Sequence, residues 1–330
     1  MRGRSIAIAG FVALSLLPVT RPAHAQVDAP KQTEPPRAPS TFRSSVDVIS
    51  VSAVVRDRKG RFVPNMVQED FIVAEAGATR KILDFRAEAD GPEKVAVLFD
   101  ISGSMRVGSK AVDARQAARH IFGALRPTDE AAVFAFDTRL DRVTEFTSDV
   151  HALEAALDHI ESPFGQTSMY DAVAETARVV AAAAAASSGG RLPQRSAVVV
   201  LTDGIDTHSR LTSEQVAGIA SGIDVPVYII AVMSPIDDTR DEGGRTEATG
   251  PLSNLARWTG GEFFTASAPA HASVAARQIV DELRHQYVLA FEASMAPGWR
   301  PLEVRARDRD LIVRARAGYT GAGTVGIAER

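Results

Sequence analysis

The stretch 95–104, which reads VAVLFDISGS, decides the fold of this chain. Its first half is a continuous apolar run, and such a run is typical of a strand buried on both faces. Its second half carries one carboxylate and two hydroxyls, at Asp100, Ser102 and Ser104. The pattern therefore predicts a central strand that delivers three oxygen-bearing side chains to its carboxyl end.

Apolar strands and helical stretches alternate after this strand. Further strands are predicted at 131–136, 197–201, 227–232 and 262–265. Helices are predicted at 111–125, 150–160, 170–186, 213–221, 252–258 and 273–283. Alternation of this kind indicates a parallel sheet covered by helices on both faces. We therefore expect a doubly wound, mainly parallel α/β domain.

The two regions that flank the α/β pattern read as strands only. Three strands are predicted on the amino-terminal side, at 46–55, 71–74 and 82–85. Three more are predicted on the carboxyl-terminal side as a β-meander, at 287–291, 302–307 and 311–315. Because each flank is small for an independent core, we expect both to join in one β-sandwich into which the α/β domain is inserted.

The amino terminus has the pattern of a secretory signal. Arg2 and Arg4 precede an apolar stretch at 5–19, and Ala-His-Ala at 23–25 is a small-residue cleavage site. The apolar stretch contains Pro18 and is shorter than the roughly 20 residues that span a bilayer. We therefore expect a cleaved signal, an exported protein that is periplasmic or secreted, and no stable membrane insertion after cleavage.

These features divide the chain into six parts. They are a signal at 1–25, a proline-rich linker at 26–41, the sandwich halves at 42–92 and 285–320, the α/β domain at 93–284 and a tail at 321–330. The linker assignment follows from its prolines among polar residues.

Composition excludes several functional classes. The chain has no cysteine, which excludes zinc ribbons, iron–sulfur clusters and disulfide scaffolds. Its 330 residues carry a formal net charge of -4, and an acidic protein of this kind is poorly suited to phosphate backbones. We therefore expect no nucleic-acid partner.

Three loops at the carboxyl edge of the predicted sheet carry oxygen ligands. Besides Asp100, Ser102 and Ser104, these are Thr167, just before a helix, and Asp203, directly after a strand. Ligands bind at this edge in doubly wound sheets. Carboxylates with neutral hydroxyls form the all-oxygen set that hard cations such as Mg2+ prefer, and one coordination position can stay open. Hence the sequence predicts a metal site.

At these five residues the chain closely resembles the von Willebrand factor type A family. Asp100-x-Ser102-x-Ser104, Thr167 and Asp203 match the metal-ion-dependent adhesion site of that family residue by residue. The resemblance implies Mg2+ or Mn2+ held directly by Ser102, Ser104 and Thr167, with Asp100 and Asp203 bound directly or through water. It also implies that an acidic residue of a protein partner completes the coordination shell.

The flanks resemble bacterial exported proteins related to this family. The likeness rests on the segments 54–63, 69–73, 286–289 and 314–319. Two departures occur: Glu75-Ala76-Gly77 stands where an acid-Asp-Gly turn is usual, and Gly165-Gln166-Thr167 replaces the common Gly-Gly-Thr.

Adhesion or assembly through a bound metal, without catalysis, is the function that we predict. The first alternative is a divalent-metal hydrolase or phosphoryl-transfer enzyme, although the matching motifs hold no His or Glu as a general base. The second is a structural protein whose metal site is unused. Asp100, Ser102 and Ser104 taken alone also fit a helix N-cap cluster. For Asp206, close to Asp203, we expect a loop hydrogen bond.

Overall fold

The protein's structure is a computed structural model that describes residues 48–87, 91–160, 164–187, 194–233, 242–294 and 298–321, with 242–248 described by backbone alone. The predicted signal, the predicted linker and the tail beyond residue 321 lie outside these ranges. No helix within them has the length and hydropathy that crossing a membrane requires.

The described residues form strands and helices in the order that the sequence predicts. The strands are β1 (Val48–Arg56), β2 (Phe71–Glu75), β3 (Ala78–Arg80), β4 (Ile82–Arg86), β5 (Glu93–Asp100), β6 (Glu130–Phe136), β7 (Leu140–Arg142), β8 (Arg195–Thr202), β9 (Val227–Val232), β10 (Phe263–Ala266), β11 (Gln286–Glu292), β12 (Gly298–Ala306), β13 (Ile312–Ala315) and β14 (Gly318–Gly321). The helices are α1 (Lys110–Ala124), α2 (Val150–His159), α3 (Met169–Ser187), α4 (Ser213–Gly222), α5 (Glu242–Thr259) and α6 (Pro269–Arg284). The short strands β3, β7 and β14 are additional to the prediction, and α5 begins earlier than predicted.

A six-stranded sheet with the strand order β10-β9-β8-β5-β6-β7 lies at the centre of the α/β domain. Its strands are parallel except for the antiparallel edge strand β7. Alternate residues of β5 pack on opposite faces, as a pleated strand requires. Val95, Val97 and Phe99 belong to one hydrophobic cluster with residues of α1, α2 and α6, whereas Ala96 and Leu98 belong to another with residues of α3, α4 and α5.

Two antiparallel four-stranded sheets form the second part of the fold. Their strand orders are β13-β1-β11-β4 and β14-β12-β2-β3, so each sheet combines strands from both flanks of the chain. Residues from both sheets share one hydrophobic cluster, including Val51, Val73, Leu289 and Val304. This confirms the predicted fold class, a doubly wound α/β domain inserted in a small β-sandwich. The domain boundaries stay predictions.

The predicted β-meander of the carboxyl-terminal flank is wrong. Strand β11 pairs with β1 and β4, β12 pairs with β14 and β2, and β13 pairs with β1. The chain crosses from one sheet to the other between β12 and β13. Each sheet has an apolar face, and the two sheets bury these faces against each other in one hydrophobic cluster.

Charged side chains join the sandwich to the α/β domain. Glu282 of α6 is fully buried, and it pairs with Arg56 of β1 at 2.6 Å and with Arg314 of β13. Arg195 of β8 donates to the carbonyls of Gly91 at 2.7 Å and Arg284 at 3.1 Å, which belong to the two chain segments that lead into and out of the domain. These contacts hold the α/β domain at the base of its sheet, opposite the edge that carries Asp100.

Candidate metal centre

Strand β5 ends at Asp100, and the carboxylate of this residue organises the loop that follows. Its Oδ1 accepts the N–H of Ser102 at 2.8 Å, and its Oδ2 accepts the hydroxyl of Thr202 at 2.6 Å. The chain then enters a short 3-10 turn over Gly103–Arg106. This turn brings the hydroxyl oxygens of Ser102 and Ser104 to within 3.1 Å of each other.

Asp203 follows β8, the neighbour of β5 in the sheet. Its Oδ2 lies 3.0 Å from the ammonium group of Lys110, and the two side chains are 1% and 3% exposed. Its Oδ1 is buried and has no hydrogen-bond partner among the described residues. A buried carboxylate oxygen without a partner is costly, so this atom marks a position where a ligand would stabilise the fold.

The loop that carries Thr167 is tied to both of the other loops. The N–H of Thr167 donates to the hydroxyl of Thr207 at 3.0 Å, and its carbonyl accepts the N–H groups of Thr207 and His208. The N–H of Gly103 donates to the carbonyl of Gly165 at 3.0 Å. The three loops predicted to meet at the carboxyl edge of the sheet therefore adjoin one another, and the Thr167 side chain is buried there.

Asp206 makes loop hydrogen bonds next to the Thr167 segment, as the sequence predicts. Its Oδ1 accepts the N–H of Met169 at 2.8 Å and the hydroxyl of Ser209 at 2.6 Å. The first bond satisfies one of the backbone donors that are left over at the start of α3. Asp206 thus positions the end of the Thr167 loop without being one of the predicted ligands.

Lys110 and Thr202 are parts of the site that sequence reasoning did not identify. Thr202 has a local signal, because a hydroxyl stands directly before Asp203 in the sequence. Lys110 has none, because its partner Asp203 lies 93 positions later in the chain. Only the packing of α1 against the sheet brings the two together.

The electrostatics of the site favour a cation. Burial, together with the charge of Asp203, raises the pKa of Asp100 to about 6, against hydrogen bonds from Ser102 and Thr202 that lower it. Two buried carboxylates face one buried ammonium, that of Lys110. When both carboxylates are ionised, these three groups together have one uncompensated negative charge.

The residues fit a hard divalent cation better than a soft one. The donors are two carboxylates and three hydroxyls, all of them oxygen atoms, as Mg2+ and Mn2+ prefer. Within the described ranges, no group of three or more His, Asp or Glu side chains is placed to hold a metal, so a cation here depends on the hydroxyls. Assignment of Asp100, Ser102, Ser104, Thr167 and Asp203 as its ligands stays a prediction.

Solved structures similar to this chain share low identity with it. Von Willebrand factor type A from Catenulispora acidiphila is 12% identical with a TM-score of 0.48, over 84% of this chain and 76% of that chain. BatB from Bacteroides thetaiotaomicron is 17% identical with a TM-score of 0.44, over 56% and 96%. Proximal thread matrix protein 1 from the mussel byssus, solved with a zinc-occupied MIDAS motif, is 17% identical with a TM-score of 0.45, over 63% and 49%.

Sequence comparison gives two further results. No curated protein sequence matches the chain. A family model described as the von Willebrand factor type A domain matches residues 95–205, which run from β5 to the loop after Asp203. This match includes all five predicted ligand positions. Residues 95–205 of this chain are therefore similar in sequence to the von Willebrand factor type A domain family.

Proposed function

We propose that the protein is an exported module that binds another protein through a divalent cation, Mg2+ or Mn2+, in an adhesion or assembly role. The observation that carries this proposal is the buried Oδ1 of Asp203, which lacks a hydrogen-bond partner. The paired hydroxyls of Ser102 and Ser104 lie at the same edge of the sheet. The family match supports metal binding, and the secretory pattern of the sequence supports export.

The chain's own residues hold the cation and leave room for a partner. Asp100 is already engaged by Ser102 and Thr202, so its carboxylate orients the serine loop as well as contributing charge. A divalent cation balances the two carboxylates, the hydroxyls add no charge, and the ammonium of Lys110 leaves the occupied site with one net positive charge toward an incoming carboxylate. The bound cation supplies a charge-assisted contact of the kind that dominates small interfaces.

Titration calorimetry with MgCl2 and with MnCl2 tests the metal site. We expect the wild type to bind one ion, Asp203→Asn to bind none, and Thr167→Ala to bind weakly. Occupancy should raise the melting temperature by mass action. Thr138→Ala and Asp141→Asn are matched controls, because both side chains are exposed, Thr138 on the loop after β6 and Asp141 in β7. Equal binding by the wild type and Asp203→Asn would contradict the assignment.

Surface plasmon resonance tests partner binding. A partner recovered from the exported fraction in Mg2+ should bind the wild type and lose affinity in EDTA. Thr167→Ala should cost about 2 kcal/mol or more, as truncation at the centre of an interface commonly does. Binding that is undiminished in EDTA would show that the partner docks on another surface.

A metal-dependent hydrolase is the second candidate, and His208 is the residue that makes it testable. The N–H of His208 donates to the carbonyl of Thr167 at 2.8 Å, which places an imidazole on the loop beside the site. Hydrolysis of a phosphate ester that needs Mg2+ and is lost in His208→Ala would favour this candidate. Its absence in the wild type would leave protein binding as the function.

A further inference from the structure

Phe164 is the most exposed of the large hydrophobic side chains in the described part of the chain. Its exposed fraction is 77%. It lies directly before the Gly165-Gln166-Thr167 segment, which carries one of the predicted ligands. A single exposed apolar side chain is ordinary on a protein surface, so the significance of Phe164 depends on its place beside the predicted ligands and on the exposed residues around it.

The backbone beside Phe164 is held firmly against the serine loop. The N–H of Phe164 donates to the carbonyl of Ile101 at 2.8 Å, and the carbonyl of Gly165 accepts the N–H of Gly103 at 3.0 Å. Ile101 stands between Asp100 and Ser102, two of the predicted ligands. Gly165 has a φ of +98°, a conformation that favours glycine, and this turn sets the direction of the chain. Phe164 is thus an exposed anchor on a pre-organised backbone.

Three other exposed side chains border the same edge. Val107 is 37% exposed and follows the serine turn, where its N–H donates to the carbonyl of Ser104. Arg106 is exposed beside it. Arg139 is exposed on the loop after β6, and this loop is adjacent because the carbonyl of Asp137 accepts the N–H of Ser168 at 2.7 Å. We call Arg106, Val107, Arg139 and Phe164 the rim.

The charge of the rim is positive. In the segments 104–109, 137–139 and 164–168, the exposed charged side chains are Arg106 and Arg139. The acid in these segments, Asp137, is half-buried and accepts the N–H of Arg139 at 2.8 Å. Two exposed arginines on loops that adjoin the Phe164 segment complement a partner segment that is both acidic and apolar.

We propose that the partner is an acidic peptide segment in which the metal-binding carboxylate is adjacent to a large apolar side chain. The apolar side chain covers Phe164 and Val107, and further acidic residues lie near Arg106 and Arg139. This inference rests on the proposed function, since the carboxylate needs the cation. The rim adds what the metal cannot supply, which is discrimination among carboxylates.

Selection of a phage-displayed library of short random peptides tests the proposal. The full-length protein is immobilised, and the library is selected in MgCl2 with EDTA elution. We expect the enriched peptides to carry an acid next to a large apolar residue. Phe164→Ala should weaken the best synthetic peptide about tenfold, and Phe164→Leu should restore part of the affinity. Arg106→Ala and Arg139→Ala should each slow association about threefold, with a reduced salt dependence.

Ile312→Ala and Arg309→Ala are matched controls, since both residues are exposed on the sandwich. Equal affinity of the wild type and Phe164→Ala in Mg2+ would overturn this inference and leave the proposed function intact. Enriched peptides that bind equally in EDTA would overturn both. A metal-dependent dimer that Phe164→Ala abolishes in sedimentation would also overturn it, because a second copy would then occupy the rim.

Discussion

Two buried carboxylates, Glu75 in the β-sandwich and Asp203 in the α/β domain, show opposite environments. Glu75 is fully buried, and it accepts bonds from Arg300 at 3.0 Å, the N–H of Ser294 at 3.1 Å and the hydroxyl of Tyr319, and it pairs with Arg80 at 2.6 Å. Its partners come from every strand of its sheet, β14, β12 and β3 beside its own β2. Glu75 therefore connects all four strands of that sheet through its carboxylate.

Asp203 has only part of such a shell. Its Oδ2 pairs with Lys110, and its Oδ1 has no partner in the described ranges. The pKa directions of Glu75 and of Asp100, the other predicted carboxylate ligand, also differ. Burial alone raises the pKa of Glu75, but bonds from Tyr319 and Arg300 outweigh it and lower the pKa below its ordinary value. For Asp100, beside Asp203, burial wins and raises the pKa. The shell of Glu75 is typical of a structural carboxylate, whereas the unpartnered Oδ1 of Asp203 lies at the edge of a doubly wound sheet where ligands bind.

The largest effect is expected at Glu75, where replacement should lower the free energy of unfolding. Glu75→Ala leaves the buried guanidinium of Arg300 without its carboxylate, and this should cost about 3–5 kcal/mol of unfolding free energy. Urea denaturation measures the loss. Glu303→Ala is the control, because its pair with Arg305 is exposed and should contribute less than about 1 kcal/mol. Glu75→Gln keeps the shape if Glu75→Ala does not fold, and Mg2+ binding lost in folded Glu75→Gln would show that the two regions are coupled.

Glu93 adds a third buried carboxylate to the comparison. It is the first residue of β5, at the end of the strand opposite to Asp100. Both of its oxygens lack hydrogen-bond partners among the described residues. Burial, together with the charge of Asp129, raises its pKa from 4.5 to about 7, against the nearby charges of Arg195 and Arg284, which lower it. A folded-state pKa above the unfolded value means that its stability contribution is fully present below pH 4.5 and is lost as the pH rises through about 7.

Glu93→Gln should remove this loss. The variant should gain about 3 kcal/mol over the wild type above pH 7 and almost nothing near pH 4.5. Denaturation of both proteins across this range measures the difference. Glu145→Gln, at a side chain that is 77% exposed, is the control and should show no such trend. A gain that is independent of pH would contradict the assignment of the raised pKa.

Lys110 tests the functional side of the comparison. Lys110→Met removes the positive charge next to Asp203, so Mg2+ should bind about tenfold more tightly, which is about 1.4 kcal/mol. Calorimetry measures the affinity, and the melting temperature in EDTA should fall because Asp203 then lacks a counter-charge. Lys59→Met, at an exposed turn, is the control. Weaker Mg2+ binding by Lys110→Met would mean that Lys110 acts mainly by positioning Asp203.

The smallest effect is expected at Ala76, directly after Glu75. Strands β2 and β3 pair Glu75 with Ala78, so Ala76 and Gly77 form a two-residue turn with φ values of +47° and +82°. Alanine is unfavourable there, and Ala76→Asn should stabilise the protein by about 1 kcal/mol. Thermal denaturation measures the gain. Ala78→Asn, in the strand, is the control and should give none. No gain at position 76 would indicate a different turn.

Much of the α/β domain was predictable because its strands are buried on both faces. All residues of β5, β8 and β9 are buried, and the middle of each strand reads as a continuous apolar run. Strands of the sandwich were harder to place. β3 and β14 are short edge strands with weak patterns, and the pairing of β11 with β1 joins segments that are far apart in the chain.

The sequence by itself determined the apolar strands, the helices between them and the oxygen-bearing residues at the strand ends, because each of these depends on residues close together in the chain. Only the tertiary structure decided which hydrogen-bond and ion-pair partners each buried carboxylate has. Lys110 reaches Asp203 across 93 positions, and Arg300 reaches Glu75 across 225. Such pairs follow from how helices and sheets pack, since burial forces distant charged groups to find partners, and no local pattern records that choice.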